Sequence, residues 1–258
     1  GGAEMAFDIA HPLFPHARLQ SYYDNVTALA GASLAQPGVV VIAGTGAVAY
    51  GRLADGREAK AGGWGYIMGD EGGGYDIGRS ALAAASQSAD GRSDSTRLLE
   101  AIPEYLGLAD LKAVHAAIYG GQISRPQIAR LTVPVVAAAQ AGDTFARRLL
   151  EAAAHQLALS ALAVLKQLDM TEAGLDVFPT GGVFEASSIL ADAFRAYIAA
   201  HAPAVRVKMP AFPPVIGGLL LALEAAGTSP SNSVVETIRA TFPQTAASKH
   251  QAREQSGG

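Results

Sequence analysis

The run Gly38-Val39-Val40-Val41-Ile42-Ala43 contains no polar position, the pattern of a strand buried on both faces. It ends in Gly44-Thr45-Gly46. A second run, Val48 to Leu53, leads to Asp55-Gly56, a strong hairpin signal, and Glu58 to Ala61 returns as a third strand. Upstream, Arg18 to Tyr23 reads as a short strand running into Asp24, with a helix over Val26 to Leu34, while the first thirteen residues carry no clean period. After a glycine-rich stretch from Gly62 to Gly74 the chain turns helical, with helices expected over Tyr75 to Ser86, Ser93 to Tyr105, Leu108 to Tyr119 and Arg125 to Gln140. Asp143 then caps a segment in which Phe145, Leu149, Leu150, Ala153, Leu157, Ala161, Leu165 and Leu168 recur at helical spacing, a core helix of about seven turns. A strand over Asp176 to Phe178 runs into Gly181-Gly182. A helix over Ser187 to Ala200, a strand over Val205 to Lys208 and a helix over Val215 to Ala226 complete an α/β order. From Gly227 the composition shifts to Ser, Thr, Asn and Gln, and apart from a helix over Ser233 to Phe242 the end reads as loose.

Composition narrows the function classes. The 258 residues, half of them apolar and 16% charged, suit a globular α/β enzyme of one large or two smaller domains. A net charge of -4 with 19 dispersed Lys and Arg gives no footprint for a nucleic acid. The absence of cysteine removes disulfides, thiolate zinc sites and iron-sulfur clusters together. The histidines (His11, His16, His115, His155, His201 and His250) never pair at metal-ligand spacing, so no metal role is expected of them. Leu157 to Leu165, the most apolar stretch, is broken by Ser160 and closed by Lys166, too short for a membrane span, and no signal-peptide pattern opens the chain. A cytoplasmic enzyme without membrane or nucleic-acid partners is the expectation.

Gly44-Thr45-Gly46, directly after a buried strand, exposes backbone N–H groups and one hydroxyl, which suits phosphate as well as a plain turn. Thr180-Gly181-Gly182 before a helix offers a second such turn. In Gly62-Gly63-Trp64-Gly65-Tyr66 and Gly69-Asp70-Glu71-Gly72, the only Trp and an acidic pair sit among glycines, where Asp70 could accept hydrogen bonds from sugar hydroxyls. The alternative there is a surface loop. Asp24 reads either as a helix cap or as a general base at a strand end.

In this order the motifs resemble the N-acetylglucosamine kinase / BadF-BadG-BcrA-BcrD ATPase family. They are Tyr23-Asp24, Val39 to Gly46, Gly62 to Gly72, Tyr75 with Ile77-Gly78, Ala139 to Asp143, Thr180 to Val183 and Pro213 to Gly218. The resemblance implies an actin-like ATPase fold of two RNase H-like lobes. In this chain the C-terminal lobe would be largely complete (36–227), the N-terminal lobe a truncated remnant (1–35), and 228–258 a polar tail. It also implies ATP-dependent phosphoryl transfer to a hydroxyl of an amino sugar such as N-acetylglucosamine or glucosamine, with Mg²⁺ neutralising charge. Carried over residue by residue, Asp24 matches the catalytic base and Gly44, Thr45 and Gly46 the second phosphate loop. Ala129, Gly181 and Gly182 match the adenosine side, and Gly63, Trp64, Gly65 and Asp70 the sugar contacts. Sugar and ATP are the implied partners, and a homodimer stays open. The family's first phosphate loop, of Asp-Gly-Gly-Gly-Thr type, has no counterpart here. Ala47-Val48 stands where a Ser-based continuation is common, and Gly73 and Asp76 where Ser and Trp are often found. Family members that activate 2-hydroxyacyl-CoA dehydratases hold an iron-sulfur cluster through cysteines, which this chain lacks. A non-catalytic sugar-binding or regulatory relative is the competing reading.

Overall fold

The apolar run becomes β1 (Gly38–Ala43), the centre of a five-stranded sheet. The computed structural model describes residues 2–242 apart from Ala173 and Ser229. β2 (Ala47–Arg52) and β3 (Glu58–Gly62) add antiparallel on one side of β1, and β4 (Asp176–Thr180) and β5 (Arg206–Val207) add parallel on the other, giving the order β3-β2-β1-β4-β5. A strand with neighbours on both sides and layers on both faces has no wet surface, which is why Val39, Val40 and Val41 are all fully buried.

Alternation along β1 splits its side chains between two layers. Val39, Val41 and Ala43 join Ala49, Ala59 and Val177 beneath the long helix α8 (Thr144–Gln167), which also packs on α10 (Ser188–His201). Val40, Tyr50 and Phe178 face the other way, onto Ala28, Leu29 and Ala32 of α2 (Asp24–Ser33). α2 packs in turn against α11 (Pro214–Ala225) through backbone contact, since a Cβ on Gly217 would collide with the carbonyl of Thr27. Between β3 and α8 lie α3 (Gly74–Ala89), α4 (Leu98–Leu106), α5 (Leu111–Tyr119), α6 (Arg125–Ala129) and α7 (Thr132–Gln140). The short α9 (Gly182–Ala186) follows β4, and α12 (Asn232–Thr241) brings Ile238 against Phe212, Ile216 and Leu220.

Four expectations need correction. Arg18 to Tyr23 forms no strand, because alternation without a neighbouring strand leaves the ladder unpaired; Tyr23, with extended backbone, is 81% exposed. The unpatterned start holds a helix, α1 (Gly2–Ala10), whose Met5, Phe7 and Ile9 are exposed and so impose no period on the sequence. Arg125 to Gln140 is two helices rather than one. Pro134 is the cause, for in a continuous helix its ring would strike the carbonyl of Arg130, whereas in the first turn of α7 its missing N–H costs nothing. Finally, the apolar segment at Leu157 to Leu165 belongs to a 24-residue helix that is long and apolar enough to cross a membrane by length and composition, yet it lies against β1, β2, β3 and α10 as a core helix. The expected tail beyond 242, with His250, lies outside the described residues.

Asp143 anchors α8. Its Oδ1 accepts from the N–H of Ala146 at 2.8 Å, and its Oδ2 accepts from the hydroxyl of Thr96 at 2.8 Å and the N–H of Arg97 at 2.6 Å, tying the core helix to the start of α4. Burial pushes its carboxyl up, but the hydrogen bonds from Ala146, Thr96 and Arg97 outweigh that and hold it below the usual carboxylate range. Because the folded value lies below the unfolded one, the stabilisation is full above about pH 4 and fades as pH falls through the lowered folded value. Asp143→Ala is expected to cost about 2–3 kcal/mol at pH 7 in urea unfolding, with the gap to the parent chain closing in acid. A gap that is independent of pH would assign the loss to packing instead.

Candidate phosphate-binding cleft

β1 and β4 run parallel, so Ala43 and Thr180 end on the same side of the sheet, where open α/β sheets hold ligands. The turn after β1 is fastened from behind by α3. The N–H of Gly74 donates to the carbonyl of Gly44 at 2.8 Å, the N–H of Tyr75 donates to the carbonyl of Thr45 at 3.0 Å, and the N–H of Gly44 donates to the carbonyl of Gly46 at 2.9 Å. These bonds occupy the carbonyls of the turn and, apart from the N–H of Gly44, leave its donors. Among the described residues, the N–H groups of Thr45 and Gly46 and the hydroxyl of Thr45 donate to no protein acceptor. Successive free amides at a turn form a concavity suited to an anion.

Close backbone approach shapes the other wall. A Cβ on Gly46 would run into the carboxylate of Asp70, and a Cβ on Gly73 would lie 2.7 Å from the carbonyl carbon of Gly46. The glycine at 73 therefore has a local reason: a serine there would not fit against this turn. Asp76, the other unusual position, accepts from the N–H of Gly72 at 3.1 Å and pairs with Arg79 at 3.0 Å, closing the loop onto α3. Asp70 itself has φ 64°, a conformation that Asp tolerates better than most residues, and is 8% exposed. No protein donor among the described residues reaches its carboxylate, whose oxygens are open to the cleft rather than sealed in the protein.

These parts line one cleft of about 590 Å³, shared by Asp24, Asn25, Gly44 to Val48, Lys60, Gly63 and Asp70. Asp24 is the first residue of α2 rather than the end of a strand, and its Oδ1 accepts from the N–H of Asn25 at 2.8 Å. The cleft thus gathers Asp24, Thr45 with its two glycines, Gly63 and Asp70, which lie as far as 46 positions apart in the chain. Trp64 and Gly65 do not line it; the Trp64 side chain stands out at 72% exposure. Gly181, at φ 102°, sits against the backbone of Ala43, and Gly182 opens α9 with free space beside it. Ala129 lies behind the first turn of α3, its carbonyl 3.1 Å from where Gly74 would carry a Cβ. None of these three lines the cleft with Asp24.

Two lining residues escaped the sequence reading. Asn25, only 8% exposed, adjoins Asp24, and Lys60 stands opposite Tyr50 in the β2–β3 pairing. For Lys60 a signal existed, since Glu58 and Lys60 alternate with Ala59 and Ala61, which puts Lys60 on the face opposite the core helix. Among the described residues no group of three or more His, Cys, Asp or Glu side chains could hold a metal ion.

Comparison with known proteins follows the same lines. The chain is 39% identical over 184 residues to the N-acetylmuramic acid/N-acetylglucosamine kinase of Clostridium acetobutylicum, an alignment covering 71% of this chain and 60% of that protein. It is 31% identical over 192 residues to the N-acetyl-D-glucosamine kinase of Dictyostelium discoideum, covering 73% of this chain and 60% of that one. The chain thus spans about three fifths of the length of these curated relatives. A crystal structure described as an N-acetylglucosamine kinase from Chromobacterium violaceum superposes with a TM-score of 0.64 at 30% identity, covering 84% of this chain and 71% of that one. The fold is accordingly the actin-like ATPase fold of the sugar kinases. With the BadF/BadG/BcrA/BcrD ATPase family model matching residues 5–222, the chain belongs to that family.

Proposed function

We propose that this chain carries the acceptor side and one phosphate loop of an ATP-dependent kinase that transfers the γ-phosphoryl group to a hydroxyl of an amino sugar such as N-acetylglucosamine or glucosamine. The observation that carries the reading is the pair of free amides at Thr45 and Gly46, facing the same cleft as two carboxylates, Asp24 and Asp70. In the proposed reaction the amides and the Thr45 hydroxyl hold phosphate oxygens, where fixed donors cost no reorganisation as charge builds. Asp24 orients the acceptor hydroxyl and takes its proton as the oxygen–phosphorus bond forms and the bond to ADP breaks. Asp70, lacking a protein donor, accepts from sugar hydroxyls, with Gly63 giving close backbone approach; Trp64 and Gly65 complete the sugar side from the loop between them. Ala129, Gly181 and Gly182 receive the adenosine end. The two cleft carboxylates are too few to cage a metal alone, so Mg²⁺ would bind mainly through the nucleotide's own phosphates, neutralising their charge. In this reading residues 36–227 form the C-terminal lobe, the expected boundaries at 35 and 228 being softened by α2 and α12, which pack against that body, and the protein works in the cytoplasm.

The test is a coupled measurement of ADP release with and without N-acetylglucosamine or glucosamine. Sugar-stimulated release supports the kinase, and sugar binding without turnover would favour a sugar-binding or regulatory relative. In an active preparation Asp24→Asn is expected to lower kcat by about 10²- to 10³-fold with little change in sugar affinity; unaltered turnover would remove Asp24 from the chemistry. Gly46→Val, which forces a side chain into the Asp70 carboxylate, is expected to weaken ATP binding at least about tenfold in calorimetry, about 1.4 kcal/mol. Parent-like affinity would show that the turn does not hold phosphate.

A further inference from the structure

Lys60 is a cation in the cleft that the reaction outlined above does not use. It lies on β3 opposite Tyr50, on the sheet face that carries α2, and its chain folds over Gly63: Cε is 3.1 Å and Nζ 3.2 Å from where Gly63 would bear a Cβ. Among the described residues no carboxylate lies within ion-pairing distance of Nζ and no hydrogen bond from it is formed. Lys60 is exposed at the cleft, and an ammonium there without a protein counter-ion is electrostatically complementary to an anion brought by the ligand.

Sheet order says which ligand brings it. The turn at Gly44 to Gly46 lies between β1 and β2. Gly181 follows β4, on one side of that turn, while Lys60 lies on β3, the edge strand on the other. β3 and β4 are three strand spacings apart, roughly 14 Å. With the nucleotide entering from the β4 side, Lys60 is at the acceptor end, beside Gly63 and in the same cleft as Asp70, and distant from the adenosine. A neutral sugar presents only hydroxyl and amide groups to it, whereas a carboxylate on the sugar would meet a full charge.

We propose that Lys60 is a specificity-determining residue that pairs with a carboxylate on the acceptor, so that the site prefers an acidic amino sugar, one with a carboxylate-bearing substituent, to its neutral counterpart. The proposal rests on the kinase reading of the cleft. It is tested by kcat/KM for N-acetylmuramic acid and for N-acetylglucosamine in the parent chain, Lys60→Met and Lys60→Arg. The expected result is a loss on the acidic sugar at least about tenfold larger than on the neutral one in Lys60→Met, carried by KM, shrinking as salt is raised and partly rescued in Lys60→Arg. Equal losses on both sugars, or a raised KM for ATP, would overturn the proposal, since they would mark Lys60 as a phosphate ligand or a structural residue. If neither sugar is turned over, the kinase reading fails by itself. Ligand-observed NMR titration with the two sugars then still decides: acidic-sugar binding that depends on Lys60 upholds the pairing, and its absence sinks it.

Discussion

Everything at the mouth of this sheet depends on backbone meeting backbone at Gly46 and Gly73, where neither residue has room for a Cβ. That approach lets the first N–H groups of α3 reach the carbonyls of Gly44 and Thr45, and the same geometry turns the remaining amides outward. One packing constraint therefore both immobilises the turn and sets its polarity. A helix N-terminus has donors without intrahelical partners, and here they are spent on holding a loop rather than on binding a ligand directly. The ligand face is left to the loop.

The sheet supplies the second level of organisation. Because β1 is central and buried on both faces, its carboxyl end is a fixed point from which the turn projects, with α8 on one side and α2 on the other. α2 contributes Asp24 and Asn25 to the cleft only because its glycine-mediated contact with α11 and its packing on Val40, Tyr50 and Phe178 fix its start beside β1. Charge is arranged around the turn in the same way, with carboxylates at Asp24 and Asp70, an ammonium at Lys60, and glycine backbone toward β4.

Much of this was legible along the chain. The unbroken apolar run at 38–43, the Asp55-Gly56 hairpin and the Asp143 cap each act within a few residues, so their outcome follows from local sterics and periodicity. The departures came where distant or absent neighbours decide. Arg18 to Tyr23 has the alternation of a strand but no strand beside it, and α1 forms with Met5, Phe7 and Ile9 exposed, so no pattern announces it. The break between α6 and α7 was readable in principle, because Pro134 is incompatible with the middle of a helix.

By itself, then, the amino-acid sequence determined the strand and helix order, the glycine turns and the ordered motifs that mark the family, because propensity, chirality and pattern are properties of neighbouring residues. Tertiary structure alone decided that Asp24 starts a helix at the cleft, that Gly73 is required by Gly46, that Trp64 stands apart from the lining, and that among the described residues Asp70 meets no donor and Lys60 no counter-ion. Each of these is a relation between groups far apart in the chain, and only packing sets the distances on which contact, desolvation and charge pairing depend.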